Sequence, residues 1–415
     1  MLRRARDILR RTFRSLRGRN FRLYFVSQTV SMSGTWMQSV AQGWLVLRLS
    51  GSAFVLGVTV ALQFGPVLVL GPWGGAVADR ADKRKLLLFT QSVATVLALV
   101  LGLVTLTGVV RIWMVLVLAT ITGCMMAIDS PARQAFVFEM VGADDLANAV
   151  GLNAVIVNSS RIIGPALAAV LIATVGLAPC FLVNSASFLV VIAALAAMRP
   201  GELHRAAPVA RAKGQVRAGL AYVRRTPELL VPLALMAVVS TLGYNFSVLL
   251  PLLARFAFHR GGGTYGALTT AMGIGALAGA LLAASRRRPT FRLLVVATLA
   301  FGVFSVGTAA APTLALVLAV LVPMGAAAVV FVSTTNSLLQ LNSEPAMRGR
   351  VMALWGVVFF GSTPLGGPLA GLLAGWFGPR FALAFGGLAT LVTGIAAWYG
   401  LRRRTAARDR ARADQ

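Results

Sequence analysis

The sequence predicts an all-α membrane protein, with twelve transmembrane helices forming two six-helix, pseudo-symmetric bundles. Three observations predict it: an apolar composition, twelve long apolar runs, and one long polar break after the sixth run. Of the 415 residues, 58% are hydrophobic and only 12% are charged, where an ordinary soluble domain carries about 25% charged residues. The mean hydropathy is +0.80. This composition excludes a soluble enzyme, a disordered tail and a disulfide-stapled secreted module. Cys124 and Cys180, the two cysteines, sit in or beside apolar runs and make no disulfide framework.

A helix needs about 20 mostly apolar residues to cross the hydrocarbon core. Runs of that kind fall at 21–47, 54–78, 86–107, 112–134, 146–175, 180–198, 228–254, 263–285, 291–310, 313–340, 350–375 and 381–401, numbered here as spans 1 to 12. Residues 1–20 are a basic N-terminal arm. Within it Leu2, Leu9, Phe13 and Leu16 recur at helical spacing between arginines, which suits either a helix lying on anionic lipid or a solvated basic arm. Residues 21–199 make the N-terminal bundle, 200–227 a cytoplasmic linker, 228–401 the C-terminal bundle and 402–415 a basic tail. The basic start leads into a full-length span without a small-residue cleavage site, so no cleavable signal peptide is expected.

The formal net charge of +27 would suggest nucleic acid as the partner of a soluble protein. Here the cations lie between apolar runs and read as membrane topology instead. With both termini on one side, 33 of the 39 Lys and Arg residues fall on that side. They include nine through Arg22, four at Arg80, Lys83, Arg84 and Lys85, and seven from Arg199 to Arg225. The other side holds Arg48, Arg111, Arg255, Arg260 and Arg380, and Arg161 lies within span 5. The positive-inside rule therefore puts both termini in the cytoplasm.

The stretch from Pro200 to Thr226 is the longest break in hydrophobicity and divides the chain into halves that echo each other. Ser160, Gly164, Pro165 and Ala168 in span 5 align with Thr363, Gly367, Pro368 and Gly371 in span 11 at one constant offset of 203 residues. Repeated six-span halves are a transporter architecture.

Between spans 2 and 3 stands Gly75-Ala-Val-Ala-Asp79-Arg80-Ala-Asp82-Lys83-Arg84-Lys85. It resembles the cytoplasmic G-x-x-x-D-R-x-G-R-R signature of the major facilitator superfamily, with Gly75, Asp79, Arg80 and Arg84 matching, Asp82 in place of the second Gly and Lys83 in place of an Arg. Span 5, with Gly151, Ser160, Gly164-Pro165 and Ala168-Ala169, is similar to the superfamily's antiporter signature, with small residues replacing three glycines. Three further segments resemble the enterobactin-exporter-like, or transmembrane secretion effector, branch. They are Asp129-Ser-Pro-Ala-Arg133-Gln134, then Asp145-Leu-Ala-Asn148 with Arg161-Ile-Ile-Gly164-Pro165, and Arg348-Gly-Arg350-Val-Met352. The resemblance covers about Asn20 to Gly400. It implies the major facilitator fold and a monomer in a bacterial inner membrane, exporting siderophores or drugs with protons as coupling ion. It implies no cofactor and no metal. Gating residues follow from the matched motifs: Gly75, Asp79, Arg80, Arg84, Asp129, Arg133, Gly164, Pro165, Gly367 and Pro368.

Candidates for a substrate cavity come from polar residues within spans. In span 1, Gln28, Ser31, Thr35, Gln38 and Gln42 are spaced 3, 4, 3 and 4, one helical stripe. Facing lipid would be costly for them, so they face either a cavity or another helix. Thr241, Tyr244 and Asn245 are the span 7 counterparts, and Ser333, Asn336 and Gln340 lie nearer the cytoplasm in span 10. Trp36, Phe64, Trp355 and Phe359 offer an apolar wall. Arg161 lies about 16 Å beyond the start of the apolar stretch of span 5, roughly half of a ~30 Å core. At that depth it faces the interior, either bonding to carbonyls and to Asn158 one turn away or attracting an anionic substrate. Asp129 suits a salt bridge with Arg80 or Arg133 at a gate, or a proton carrier. No carboxylate or histidine stands in mid-span.

The chain has no G-x-x-x-x-G-K-[ST] loop for ATP and no clustered catalytic side chains at depth, so an enzyme is not expected. A secondary active exporter is the expected function. The alternative is a lysolipid-type flippase or an importer of the same fold.

Overall fold

The computed structural model describes residues 13–204, 215–286 and 289–413. Leu2 and Leu9 of the expected surface helix lie outside them. Among the described residues, ten helices are long and apolar enough to cross a membrane. The chain is a multi-pass membrane protein. Span 1 lies in Arg19–Ser50, whose 32 residues carry more polar groups. Spans 2 and 3 are Ala53–Arg80 and Lys83–Leu106. Span 6 is Ala178–Ala196. Spans 8 to 12 are Gly262–Ser285, Phe291–Ala310, Leu314–Asn342, Pro345–Phe377 and Pro379–Ala413, the last running helical through most of the expected tail.

Local chemistry sets the helix ends. Gly51 stops span 1 in the left-handed region at φ 63°, with its N–H on Leu47 O, a conformation glycine adopts without Cβ strain. Asp82, the departure from the loop signature, is the N-cap of span 3 and accepts from the Lys85 backbone N–H at 3.1 Å. Thr290 and Thr313 cap spans 9 and 10 in the same way.

Two connections differ from expectation. Spans 4 and 5 share one helical run, Ile112–Thr174, interrupted in its backbone at Gly142 (φ 71°, ψ −173°). Apolar-run reading left residues 135–145 between the two spans, whereas the chain stays helical through them and turns at Gly142. Span 7 is helical over Pro227–Val238, widens into a π turn at Val239–Gly243, resumes over Phe246–Leu252 and widens again at Leu253–Ala257. Tyr244 and Asn245 leave helical geometry at ψ 39° and 41°. The linker contains a further helix, Gln215–Arg225.

The chain forms two compact units. One holds residues 1–51, 62–211 and 261–270; the other holds 52–61, 212–260 and 271–415. In the first, Phe21, Tyr24, Phe136, Leu152, Val191 and Leu195 belong to one apolar core. In the second, Val223, Leu229, Leu233, Leu339, Val351 and Leu354 form another. The ten residues 52–61 pack with the second unit through close backbone approach. A Cβ on Gly57 would stand 2.3 Å from Gly367 O and 2.8 Å from Pro368 Cα, so spans 2 and 11 cross there with room for no side chain. The first unit has a matching crossing, where a Cβ on Gly266 would meet Ala169 Cβ at 2.7 Å.

Candidate functional site

In the first unit, span 5 lies along span 1. Ser33 Oγ donates to Ser160 Oγ at 3.2 Å, and a Cβ on Gly164 would meet Ser33 O and Trp36 Cβ, each at 2.5 Å. The small residue of the Gly164-Pro165 pair thus brings the two helices together. One turn away, the Arg161 guanidinium lies over the Trp36 ring, 5.2 Å from its centroid. Arg161 Nε is buried and has no hydrogen-bond partner among the described residues. Asn158 does not share hydrogen bonding with it: Asn158 Nδ2 donates to Ala154 O at 2.8 Å. A side-chain amide that can reach its own preceding turn is satisfied there first.

The span 1 stripe divides. Gln28, Ser31 and Gln42 are buried, whereas Thr35 is exposed and bonds back to Ser31 O. Gln38 Oε1 accepts from Asn184 Nδ2 at 2.7 Å, a bond between spans 1 and 6.

Further along the same unit, Asp129 is saturated with donors. Its Oδ1 accepts from Thr90 Oγ1 at 2.7 Å and Gln91 Nε2 at 2.9 Å, and its Oδ2 accepts from Arg133 Nε at 3.0 Å. Of Arg80 and Arg133, the two partners expected for Asp129, it is Arg133 that forms the ion pair, one turn on in the same helix. Gln91 Oε1 is buried with no hydrogen-bond partner among the described residues, and Tyr24 is buried in the apolar core of this unit.

The residues of the loop motif bind neighbouring helix ends. Arg84 Nε donates to Leu195 O at 2.7 Å, and its Nη2 donates to Ala196 O at 3.0 Å, capping the last carbonyls of span 6. Lys83 pairs with Glu139 at 2.8 Å with both side chains nearly enclosed. Gly75 is buried, Asp79 is half-buried and engaged with neighbouring groups, and Arg80 is exposed. Asp145 pairs with Arg14 at 2.7 Å, and Asn148 accepts from the Ser15 backbone N–H and hydroxyl. Thus the Asp145-to-Asn148 motif fastens the 3-10 turn at Arg14–Arg17.

In the second unit, Thr241 Oγ1 donates to Ala237 O and Asn245 Nδ2 donates to Thr241 O, so both polar groups serve the broken backbone of span 7. Gly366 makes room for that break, since a Cβ there would stand 2.3 Å from Thr241 O. Tyr244 instead joins an aromatic cluster, with ring centroids 5.0 Å from Phe246, 6.3 Å from Phe301 and 6.1 Å from Phe359. In span 10, Gln340 Nε2 donates to Asn336 Oδ1.

A protein-family model described as transmembrane secretion effector matches residues 10–414. The chain belongs to that family of the major facilitator superfamily. This transmembrane secretion effector is 29% identical over 170 residues to the Staphyloferrin A transporter of Staphylococcus aureus (strain NCTC 8325 / PS 47), a match spanning 41% of this chain and 43% of that protein. The chain thus spans less than half the length of that relative. It is 28% identical over 382 residues to the multidrug efflux pump Tap of Mycolicibacterium fortuitum, covering 88% and 91% of the two chains. To the enterobactin exporter EntS of Shigella boydii serotype 4 (strain Sb227) it is 25% identical over 383 residues, covering 90% of each. A solved bacterial homolog to the human lysosomal transporter Spinster, inward-facing and unoccupied, shares the fold at TM-score 0.71 and 15% identity, over 94% of this chain and 97% of that one.

Sequence reading missed the donors around Asp129. Thr90 and Gln91 lie 39 and 38 residues before it, on another helix, and no spacing rule links them. The π turn in span 7 was equally hidden, although Gly243-Tyr-Asn245 ahead of Pro251 carries the composition of a helix break.

Proposed function

We propose that this transmembrane secretion effector is a secondary active exporter. It moves small organic molecules, siderophore-like or drug-like, out across a bacterial inner membrane by alternating access coupled to proton antiport. In this reading both termini lie in the cytoplasm, which the cation distribution supports. The single observation that carries the substrate reading is Arg161: a guanidinium deep in span 5, laid over Trp36, with a buried Nε that has no partner among the described residues. A buried N–H without an acceptor costs about 1–3 kcal/mol, and an acceptor-rich or anionic substrate would recover it. The antiporter-like span 5 and the exporters named among the relatives support the outward direction.

The test is transport by full-length protein in everted proteoliposomes, with and without an imposed pH gradient, using a catecholate anion and a neutral dye as probes. Gradient-dependent accumulation of both is expected, with Arg161→Gln losing the anion preferentially. Equal loss of both probes, or accumulation indifferent to the gradient, contradicts the reading.

A further inference from the structure

The aromatic cluster of the second unit is more than a packing core. Phe246 and Phe301 back it, both buried, with their ring centroids 5.8 Å apart. In front stand Tyr244, Phe359 and Trp355, all only partly buried. Trp355 and Phe359, one turn apart in span 11, stack at 5.3 Å with 7° between their planes, and Phe359 meets Tyr244 edge to face at 6.1 Å. The rings form a continuous track from span 11 to the break in span 7. Two features do not suit a core selected for stability. Trp355 Nε1 is buried with no acceptor among the described residues, and the track ends where span 7 gives up helical geometry at Tyr244 and Asn245. An unpaired buried donor and a broken helix both cost stability, and such costs collect at functional sites.

We infer that Tyr244, Trp355 and Phe359 form a stacking subsite for a planar aryl group of the substrate, with Trp355 Nε1–H as donor to an acceptor atom in the plane of that group. Offset and edge-to-face contacts are favoured by the ring quadrupoles, so the track prefers flat aromatic rings over saturated ones of equal size. The inference deepens the exporter reading and rests on it for the passage of substrate, but binding itself needs neither direction nor coupling.

The experiment is equilibrium binding of coumarin and octahydrocoumarin to purified full-length protein by calorimetry. The two probes share a lactone acceptor and differ in ring aromaticity. Coumarin is expected to bind about tenfold more tightly. Trp355→Leu or Phe359→Leu should abolish that preference. Trp355→Phe keeps a ring and removes the donor: it should weaken coumarin about fivefold while raising the melting temperature of the unliganded protein, because the orphaned N–H is gone. That conservative variant decides the matter even where a leucine variant fails to fold. Equal binding of the two probes, or unchanged coumarin affinity in Trp355→Phe, overturns the inference. Retained coumarin preference in a protein that transports nothing leaves the subsite standing and removes the exporter reading.

Discussion

The Arg161 guanidinium lies 5.2 Å above the Trp36 ring, on the helix pair that Gly164 draws together. The ring holds the cation without neutralising it, since a cation–π contact contributes only about 0.5–2 kcal/mol. Arg161→Lys keeps the charge and loses the flat, forked donor set. Its transport of an anionic probe should fall by about fivefold, and Trp36→Leu should fall by a similar factor. Initial rates in proteoliposomes check both; wild-type rates in either variant would leave the Arg161–Trp36 pair a packing contact.

Asp129 and Arg133 make a pair whose removal should be felt in stability. Their side chains are only 17% and 20% exposed, and breaking a buried ion pair from one side costs about 3–5 kcal/mol. Asp129→Asn should cost toward the lower end of that range, because Thr90 and Gln91 can still bond to the new amide. Asp129→Asn with Arg133→Met should be more stable than Asp129→Asn alone. Thermal unfolding in detergent measures the cycle, and strictly additive losses would contradict the pairing.

The Gly57 crossing predicts a steric switch. With Gly367 O 2.3 Å from where its Cβ would be, Gly57→Val must push spans 2 and 11 apart. The variant should insert normally, transport slowly, and label faster with an impermeant thiol reagent at an introduced Ala61→Cys. Unaltered labelling together with normal transport would show that the crossing relaxes without consequence.

Orientation is checked with tags. Epitopes at Met1 and Gln415 should be protected in intact cells, and one inserted at Gly262 should be reached from outside. A surface-exposed C-terminus would contradict both the cation asymmetry and the even number of spans.

The helices were legible in the sequence because bilayer thickness imposes a length and polarity that any apolar run must meet. The resemblance was legible because the loop and span 5 motifs keep their spacing along one chain. The role of Arg84 was half legible: its place in the basic loop motif is read from the sequence, but its bonds to Leu195 O and Ala196 O join segments 111 and 112 residues apart. Asn158 illustrates the opposite error. One-turn proximity to Arg161 suggested a shared network, whereas its own backbone carbonyl at Ala154 was nearer and won. Trp355 and Phe359 were legible by type as an apolar wall, but the unpaired indole nitrogen and the ring track toward the span 7 break were not.

Gly142 has a practical consequence for anyone who cuts, tags or splits this chain. Cytoplasmic connections between helices are the usual places to insert a reporter, because exposed loop tips absorb added residues. Between spans 4 and 5 there is no such tip. Gly142 is buried at φ 71° against the His204 ring, 3.4 Å from its would-be Cβ, and His204 N–H bonds to Glu139 O three residues earlier in the chain. An insertion there would unseat the start of the linker together with two helices. The exposed turn at Gly108 and Val109, which no other segment crowds at Gly108, should absorb an insertion instead, and by the cation count it calls for a reporter suited to the side opposite the termini.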